Sequence, residues 1–271
     1  MKRKFLYGIA AVAVAGSTAL GAGYVFADDS DPTPKVVGGQ PASEDYPFLA
    51  SVYVDRPDDE NHFTCTSSVI GDKWILTAAH CVVDENNKPA DPSLYSVKTG
   101  STDRTKGTET QVAEINVHPD YMTDAENDAD VAVLKLESAA PDAEPIGIAG
   151  GDIPEPGTDV RILGWGRTSP EDADSLPNVA HELDSKVVEN ENCVYGDEFD
   201  ITIGDLCVDS PNLDSGACNG DSGGPLLQKV DGEWVTRGMT SRGGGSVCTK
   251  TDETYASSDY YLDWITKQTE S

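Results

Sequence analysis

From Val36 onward the sequence predicts an all-β fold. Three observations carry that expectation: short apolar runs recur along the chain, clusters rich in Gly, Pro, Asp and Asn separate them, and only the C-terminal end has helical periodicity. The runs cover residues 48–54, 74–76, 131–134, 160–163 and 224–227, and the clearest separators are 55–61 and 140–157. Short strands with frequent turns predict a sandwich or barrel rather than βαβ units. Near the C-terminus, Tyr261, Leu262, Trp264 and Ile265 recur at helical spacing over about 259–268, with Ser257 or Ser258 as N-cap. The Pro- and acid-rich stretch 140–156 reads as a link between two halves.

The first 27 residues stand apart. Lys2, Arg3 and Lys4 precede an apolar run over 5–26, and Val25-Phe26-Ala27 ends it with a small residue before Asp28 and Asp29. That pattern predicts a secretory signal peptide over 1–27. The rival is an uncleaved anchor, since the run is long enough to span a bilayer; no later segment is. Export suits the six cysteines, Cys65, Cys81, Cys193, Cys207, Cys218 and Cys248, an even number with no CxxC pair. Disulfides are expected, a zinc site has little support, and a redox motif has none. Six cysteines allow fifteen pairings, and spacing alone does not choose among them.

The formal net charge is −29. Removing residues 1–35 takes Lys2, Arg3, Lys4 and Lys35 against Asp28, Asp29 and Asp31, so the remainder is no less acidic. Such a surface repels nucleic acid and anionic membrane. It fits either adaptation to high salt, where screening relieves self-repulsion, or an ordinary acidic extracellular protein.

Chemistry concentrates in Gly220-Asp221-Ser222-Gly223-Gly224-Pro225. A nucleophilic serine needs a sharp turn that exposes its hydroxyl and nearby N–H groups aimed at a developing oxyanion, and flanking glycines permit both. By itself the segment is also good turn chemistry. A serine hydroxyl needs a neighbouring base, and the chain has four histidines. His80 follows the apolar Trp74-Ile75-Leu76 and directly precedes Cys81, so a pinned turn would hold its imidazole. His62, His118 and His181 sit in polar, loop-like contexts and read as surface or structural residues. The base needs a buried carboxylate to set its tautomer. Asp130, immediately before the apolar run at 131, fits better than its competitor Asp128.

Together these residues resemble the chymotrypsin/trypsin family of serine endopeptidases, over essentially all of residues 36–271. The order His80, Asp130, Ser222 matches, as do Thr77-Ala78-Ala79-His80-Cys81, the acid before the strand at 131–136 and the Gly220–Pro225 segment. Gly164-Trp165-Gly166 and the nine-residue spacing from Tyr255 to Trp264 agree. The resemblance implies two antiparallel six-stranded β-barrels, about 36–145 and 146–258, and the terminal helix. It implies the pairs Cys65–Cys81, Cys193–Cys207 and Cys218–Cys248, and a catalytic triad of Ser222, His80 and Asp130. Gly220 and Ser222 would supply the oxyanion-hole N–H groups. Lys35-Val36-Val37-Gly38-Gly39 resembles a zymogen junction: 28–35 would be an activation peptide, and the new Val36 ammonium would pair with Asp221.

The specificity pocket departs from trypsin, in which an aspartate six residues before the nucleophile binds Lys or Arg. Here that position is Gly216, followed by Ala217. A small apolar floor favours aromatic or aliphatic P1 residues. Glu253, counted back from Tyr255, falls where relatives carry a pocket-wall glycine, and its carboxylate could restore preference for Lys or Arg. Lys35 as a self-activation site points the same way, and basic P1 is slightly favoured. Ser241, Arg242 and Gly243 would edge the substrate cleft; most relatives have tryptophan at 242, and an exposed arginine there would favour acidic substrate residues. Asp103 and Glu109 are too few for a calcium loop over 101–110, so no metal and no cofactor is expected. The expected partners are protein or peptide substrates and proteinaceous inhibitors, with no nucleic acid, no stable membrane association after leader removal and a monomeric state. A protease-like binding protein without catalysis, or an esterase, is the alternative.

Overall fold

The computed structural model describes residues 36–123, 128–196 and 200–270; the leader read over 1–27, the segment 28–35 and Lys35 lie outside the described residues. After β1 (Gln40–Pro41) come β2 (Leu49–Arg56), β3 (Asp59–Gly71), β4 (Trp74–Thr77), β5 (Tyr95–Thr99), β6 (Thr108–Val117) and β7 (Ala132–Leu136). Strands β2 to β7 close an antiparallel barrel in the order β2-β3-β4-β7-β6-β5. There follow β8 (Gly147–Ile148), β9 (Asp159–Gly164), β10 (His181–Val188), β11 (Asp205–Val208), β12 (Pro225–Val230), β13 (Glu233–Gly243) and β14 (Glu253–Ser257). Their order β10-β11-β14-β13-β12-β9, with β9 also paired to β10, closes a second six-stranded ring. The sequence-based expectation of two six-stranded antiparallel barrels thus matches the fold.

Alternation explains why these segments become barrel strands. On β6 the side chains of Thr110 and Val112 are buried between exposed neighbours, and a bulge between Val112 and Glu114 then moves the buried phase to Ile115. Ala50, Val52, Val69, Ile75, Val97 and Leu134 fill the first barrel. Val160, Ile162, Leu206, Leu226 and Tyr255 fill the second. Burying each large aliphatic side chain stabilises the fold by about 1.5–3 kcal/mol before the cost of ordering it. The barrels meet along apolar seams: Leu76, Val131 and Val133 pack with Met239, Ala256 and Ile265, and Tyr53 and Phe63 pack with Trp165 and Leu227.

Local structure departs from expectation at several points. The chain near Val36 belongs to the second half: β1 pairs with β10, and Val37 bridges Gly216. The stretch 140–156 is more than a link, because β8 lies within it, pairs in parallel with β13, and follows the buried Ile146. The helix α1 spans Leu262–Thr269, and Tyr261 rather than Ser257 or Ser258 is its N-cap, with no side-chain cap bond. Ser258 instead donates to the Thr236 carbonyl, and Ser257 Oγ receives the Tyr260 amide, so both serines are used in the turn before the helix. His181 is buried on β10 rather than in a polar loop.

Candidate active site

The short 3₁₀ turn Ala79–Cys81 follows β4 and carries His80. Cys81 is joined to Cys65 on β3, which ties this turn to the barrel wall. The other disulfides join Cys193 to Cys207 and Cys218 to Cys248. Asp130, placed just before β7, is 3% exposed. Its Oδ2 lies 2.8 Å from His80 Nδ1, its Oδ1 accepts the His80 amide at 2.9 Å, and Ser241 Oγ donates to Oδ2 at 2.6 Å. Asp128 turns elsewhere, accepting from the Met122 amide.

The electrostatics follow from that geometry. Burial alone would push the Asp130 carboxyl up, but the charge and hydrogen bonds of His80, together with the Ser241 bond, bring it down to about 2. Burial pulls the His80 imidazole down, whereas the charge and hydrogen bond of Asp130, helped by Asp128, raise it above its ordinary value; Arg242 opposes them. The arrangement places Asp130 on Nδ1 and leaves Nε2 as the imidazole's accepting face. His80 Nδ1 is bonded to Asp130, and no hydrogen bond joins the Ser222 hydroxyl to the His80 ring; in enzymes without substrate such catalytic bonds are often long.

Ser222 sits on the turn before β12. The Thr66 amide donates to the carbonyls of Gly220 and Ser222 at 3.1 and 3.0 Å, and Thr66 Oγ1 donates to Gly220 O at 2.8 Å, so β3 holds this turn from the other barrel. Gly220 has φ +104°, which favours glycine. At Gly223 a Cβ would collide with Thr77 Oγ1, three residues before His80, so absence of a side chain lets the serine turn approach the histidine turn. The amides of Gly220 and Ser222 donate to no acceptor among the described residues, while those of Asp221, Gly223 and Gly224 are all used. Two neighbouring N–H groups are left for an incoming oxygen. Thr66 was not singled out from the sequence, and nothing in its local pattern marks it.

A cleft of about 200 Å³ opens beside Ser222, lined among others by Ala217, Ser241, Arg242, Gly243, Thr249 and Glu253. Gly216 abuts Thr249 of that lining, and its amide donates to the Val37 carbonyl. Glu253 is 6% exposed and its carboxylate lies against Gly243. Among the described residues its carboxylate has one hydrogen bond, a long one, 3.4 Å from the Thr249 amide. Burial pushes its carboxyl up to about 8; the Thr249 bond opposes this, and the charges of Asp221 and Asp252 add to it. The Arg242 side chain is not exposed as the sequence led us to expect: it is 10% accessible, because its guanidinium folds inward onto Asp205.

Asp221 is fully buried, accepting from the amides of Gly166 at 2.7 Å and Cys218 at 3.0 Å. Burial pushes its carboxyl up to about 7, against those two bonds, and no cation pairs with it among the described residues. Val36, also fully buried, packs in the cluster that contains Ala217. Cys65, His80 and Cys81 approach one another closely enough to hold a metal, but both sulfurs are bound in the disulfide and offer no thiolate. Asp103 and Glu109 pair with Lys106 and Lys98.

Comparison with known proteins agrees with this geometry. The family model described as Trypsin matches residues 36–265. The chain is similar to transmembrane protease serine 11C of Mus musculus, 32% identical over 245 residues, covering 87% of this chain and 54% of that protein. It is similar to coagulation factor XI of Bos taurus, 32% identical over 246 residues, covering 87% of this chain and 38% of that protein. The chain thus spans about half or less of the length of these relatives, and the match falls on the two barrels that carry His80, Asp130 and Ser222. The chain belongs to the trypsin family.

Proposed function

We propose that this protein is a serine endopeptidase exported from the cell, with Ser222 as nucleophile, His80 as general base and acid, and Asp130 as the carboxylate that holds the imidazole. The observation that carries the proposal is the buried Asp130 bound to Nδ1 of His80 beside a serine turn with two unused amides. His80 Nε2 takes the Ser222 proton as Oγ bonds to the peptide carbonyl carbon. The carbonyl oxygen becomes an oxyanion between the Gly220 and Ser222 amides. His80 then gives its proton to the departing amine, and water repeats the sequence on the acyl-enzyme. Protein or peptide substrates and proteinaceous inhibitors would dock across the seam. Among the described residues no helix is long and apolar enough to cross a membrane.

The test is fluorophosphonate labelling of the form cleaved after Lys35. We expect one label on Ser222, none on Ser222→Ala, and hydrolysis of internal peptide bonds. Folded, cleaved protein that takes no label would favour a binding protein without catalysis, and labelling with only ester turnover would favour an esterase.

The same reading extends to P1. Glu253 is a buried carboxyl in the cleft with almost no internal partner, so a Lys or Arg side chain would supply the missing cation and hold it ionised. For Glu253→Gln we expect kcat/KM on Lys and Arg substrates to fall by about 10²–10³-fold, as when one partner of a buried charge pair is lost, with apolar P1 substrates spared. A carboxyl raised to about 8 is neutral below that pH and charged above it. Turnover after Lys should therefore climb through pH 8 while turnover after Phe does not. Turnover confined to Phe or Leu substrates would leave Glu253 without this function and favour apolar specificity.

A further inference from the structure

The charged chain behind the triad does not end at Asp130. On β13, Thr240 pairs with Tyr255 and Arg242 with Thr254, so Ser241 is the extra residue of a β-bulge. A bulge re-aims the side chain it displaces, and here Ser241 Oγ reaches Asp130. Arg242 Nη1 donates to that same Oγ at 3.0 Å, and its Nη2 reaches Asp205 Oδ2 at 2.6 Å and the Asp200 carbonyl at 2.9 Å. Asp205, whose side chain is fully buried, is held in turn by the amide and hydroxyl of Thr202, both at 2.9 Å. A continuous path therefore runs His80, Asp130, Ser241, Arg242, Asp205.

We propose that Arg242, anchored by Asp205, is a positioning residue for the triad that directs the Ser241 proton onto Asp130 and weakens the proton affinity of His80. A serine hydroxyl has one proton to give. Because Arg242 can only donate, Ser241 accepts from it and turns its own proton to the Asp130 carboxylate. The guanidinium is also a permanent cation close to an imidazole that must become positive during catalysis, and like charge disfavours that form. The groups whose charge acts along this path are Asp128 on His80, Asp128 and Asp130 on Tyr121, Asp205 on Tyr261, and Arg242 on Tyr195, and burial pushes the Asp205 carboxyl itself up to about 6 against its Arg242 and Thr202 partners. Asp130 and Asp128 raise the imidazole and Arg242 counters them. The imidazole is still raised overall, but less than it would be without Arg242, so the base stays unprotonated to lower pH than it otherwise would. The inference rests on His80 being the base of the proposed reaction.

The experiment titrates His80 directly by NMR of imidazole-labelled protein and, in parallel, follows kcat/KM against pH. Arg242→Met alone would strand the Asp205 carboxylate, so the informative variant is Arg242→Met with Asp205→Asn, which keeps the pair neutral and folded. We expect the His80 midpoint and the acid limb of kcat/KM to move up together by about 0.5 pH unit, because of the two opposite charges removed the guanidinium is the one bonded toward Asp130 and His80 and Asp205 lies beyond it, with the alkaline plateau changed much less. Arg242→Lys with Asp205 intact should return the midpoint most of the way. A folded double variant that titrates as the parent does, or a uniform loss of kcat/KM with the acid limb unmoved, overturns the proposal. A midpoint that shifts in a protein with no peptidase activity would support the electrostatic coupling and sink the catalytic reading instead.

Discussion

Replacing Ser222 by alanine should leave a folded, disulfide-bonded protein whose peptide hydrolysis is lower by about 10⁵–10⁶-fold. The size of the loss follows from how the site works. The unused Gly220 amide and the cleft remain in the variant, but without the proposed nucleophile Oγ no acyl-enzyme would form, and water would attack unaided. His80→Ala should cost almost as much, because a hydroxyl without a base is a poor nucleophile, and the double variant should be scarcely worse than either single one. Asp130→Asn should lose less, about 10⁴-fold, since it removes the tautomer control and the counter-charge but keeps both reacting atoms. Steady-state kinetics on a fluorogenic peptide checks all three. Losses that add, rather than saturate, would mean that Ser222, His80 and Asp130 do not act as one unit.

The proposed cleavage after Lys35 predicts that Lys35→Gln leaves the chain inactive, and two features of the uncleaved form, at Val36 and at Asp221, bear on that prediction. Val36 has φ +46°, a region that a β-branched residue avoids, at a cost of about 1–3 kcal/mol. Cutting the bond before Val36 removes that constraint. Among the described residues no cation meets the buried Asp221, and its carboxyl is pushed up to about 7. A carboxyl raised above its unfolded value binds a proton that the unfolded chain gives up, so the uncleaved form should lose stability as pH rises from about 4 to 7. The full effect is on the order of 4 kcal/mol. If the Val36 ammonium pairs with Asp221 after cleavage, the carboxyl becomes lower than in the uncleaved form and that loss disappears. Thermal unfolding should therefore show the cleaved form gaining on the uncleaved one between pH 5 and pH 8. Asp221→Asn should erase the difference in pH dependence and reduce activity of the cleaved form by about 10²–10³-fold, through the stranded ammonium. Equal pH profiles for the two forms would remove Val36 and Asp221 from activation.

The sequence was informative wherever a requirement is local. Gly220, Ser222 and Gly223 advertise a turn with unused amides, His80 is marked by its neighbour Cys81, and the strand after Asp130 is visible as an apolar run. It was uninformative where side chains from distant segments meet. Nothing near Asp205 says that it will bury a carboxylate under Arg242, thirty-seven residues later, and the departure from tryptophan at 242 was the one available signal that a counter-charge was needed. The same holds for Thr66, which supports the serine turn from the opposite barrel, and for Ser241, whose reach to Asp130 depends on a bulge that composition does not mark.

By itself, then, the chain of residues determined the all-β class and an even set of cysteines, because periodicity and turn chemistry are short-range properties; the two barrels and the proposed order His80, Asp130, Ser222 came from its resemblance to a family. Tertiary structure alone decided that Arg242 turns inward, that Glu253 is buried in the cleft with scarcely a partner, and that Asp221 lies buried with none described. Each of those depends on which charges share a low-dielectric space, and closure of the two barrels, rather than nearness along the chain, sets that.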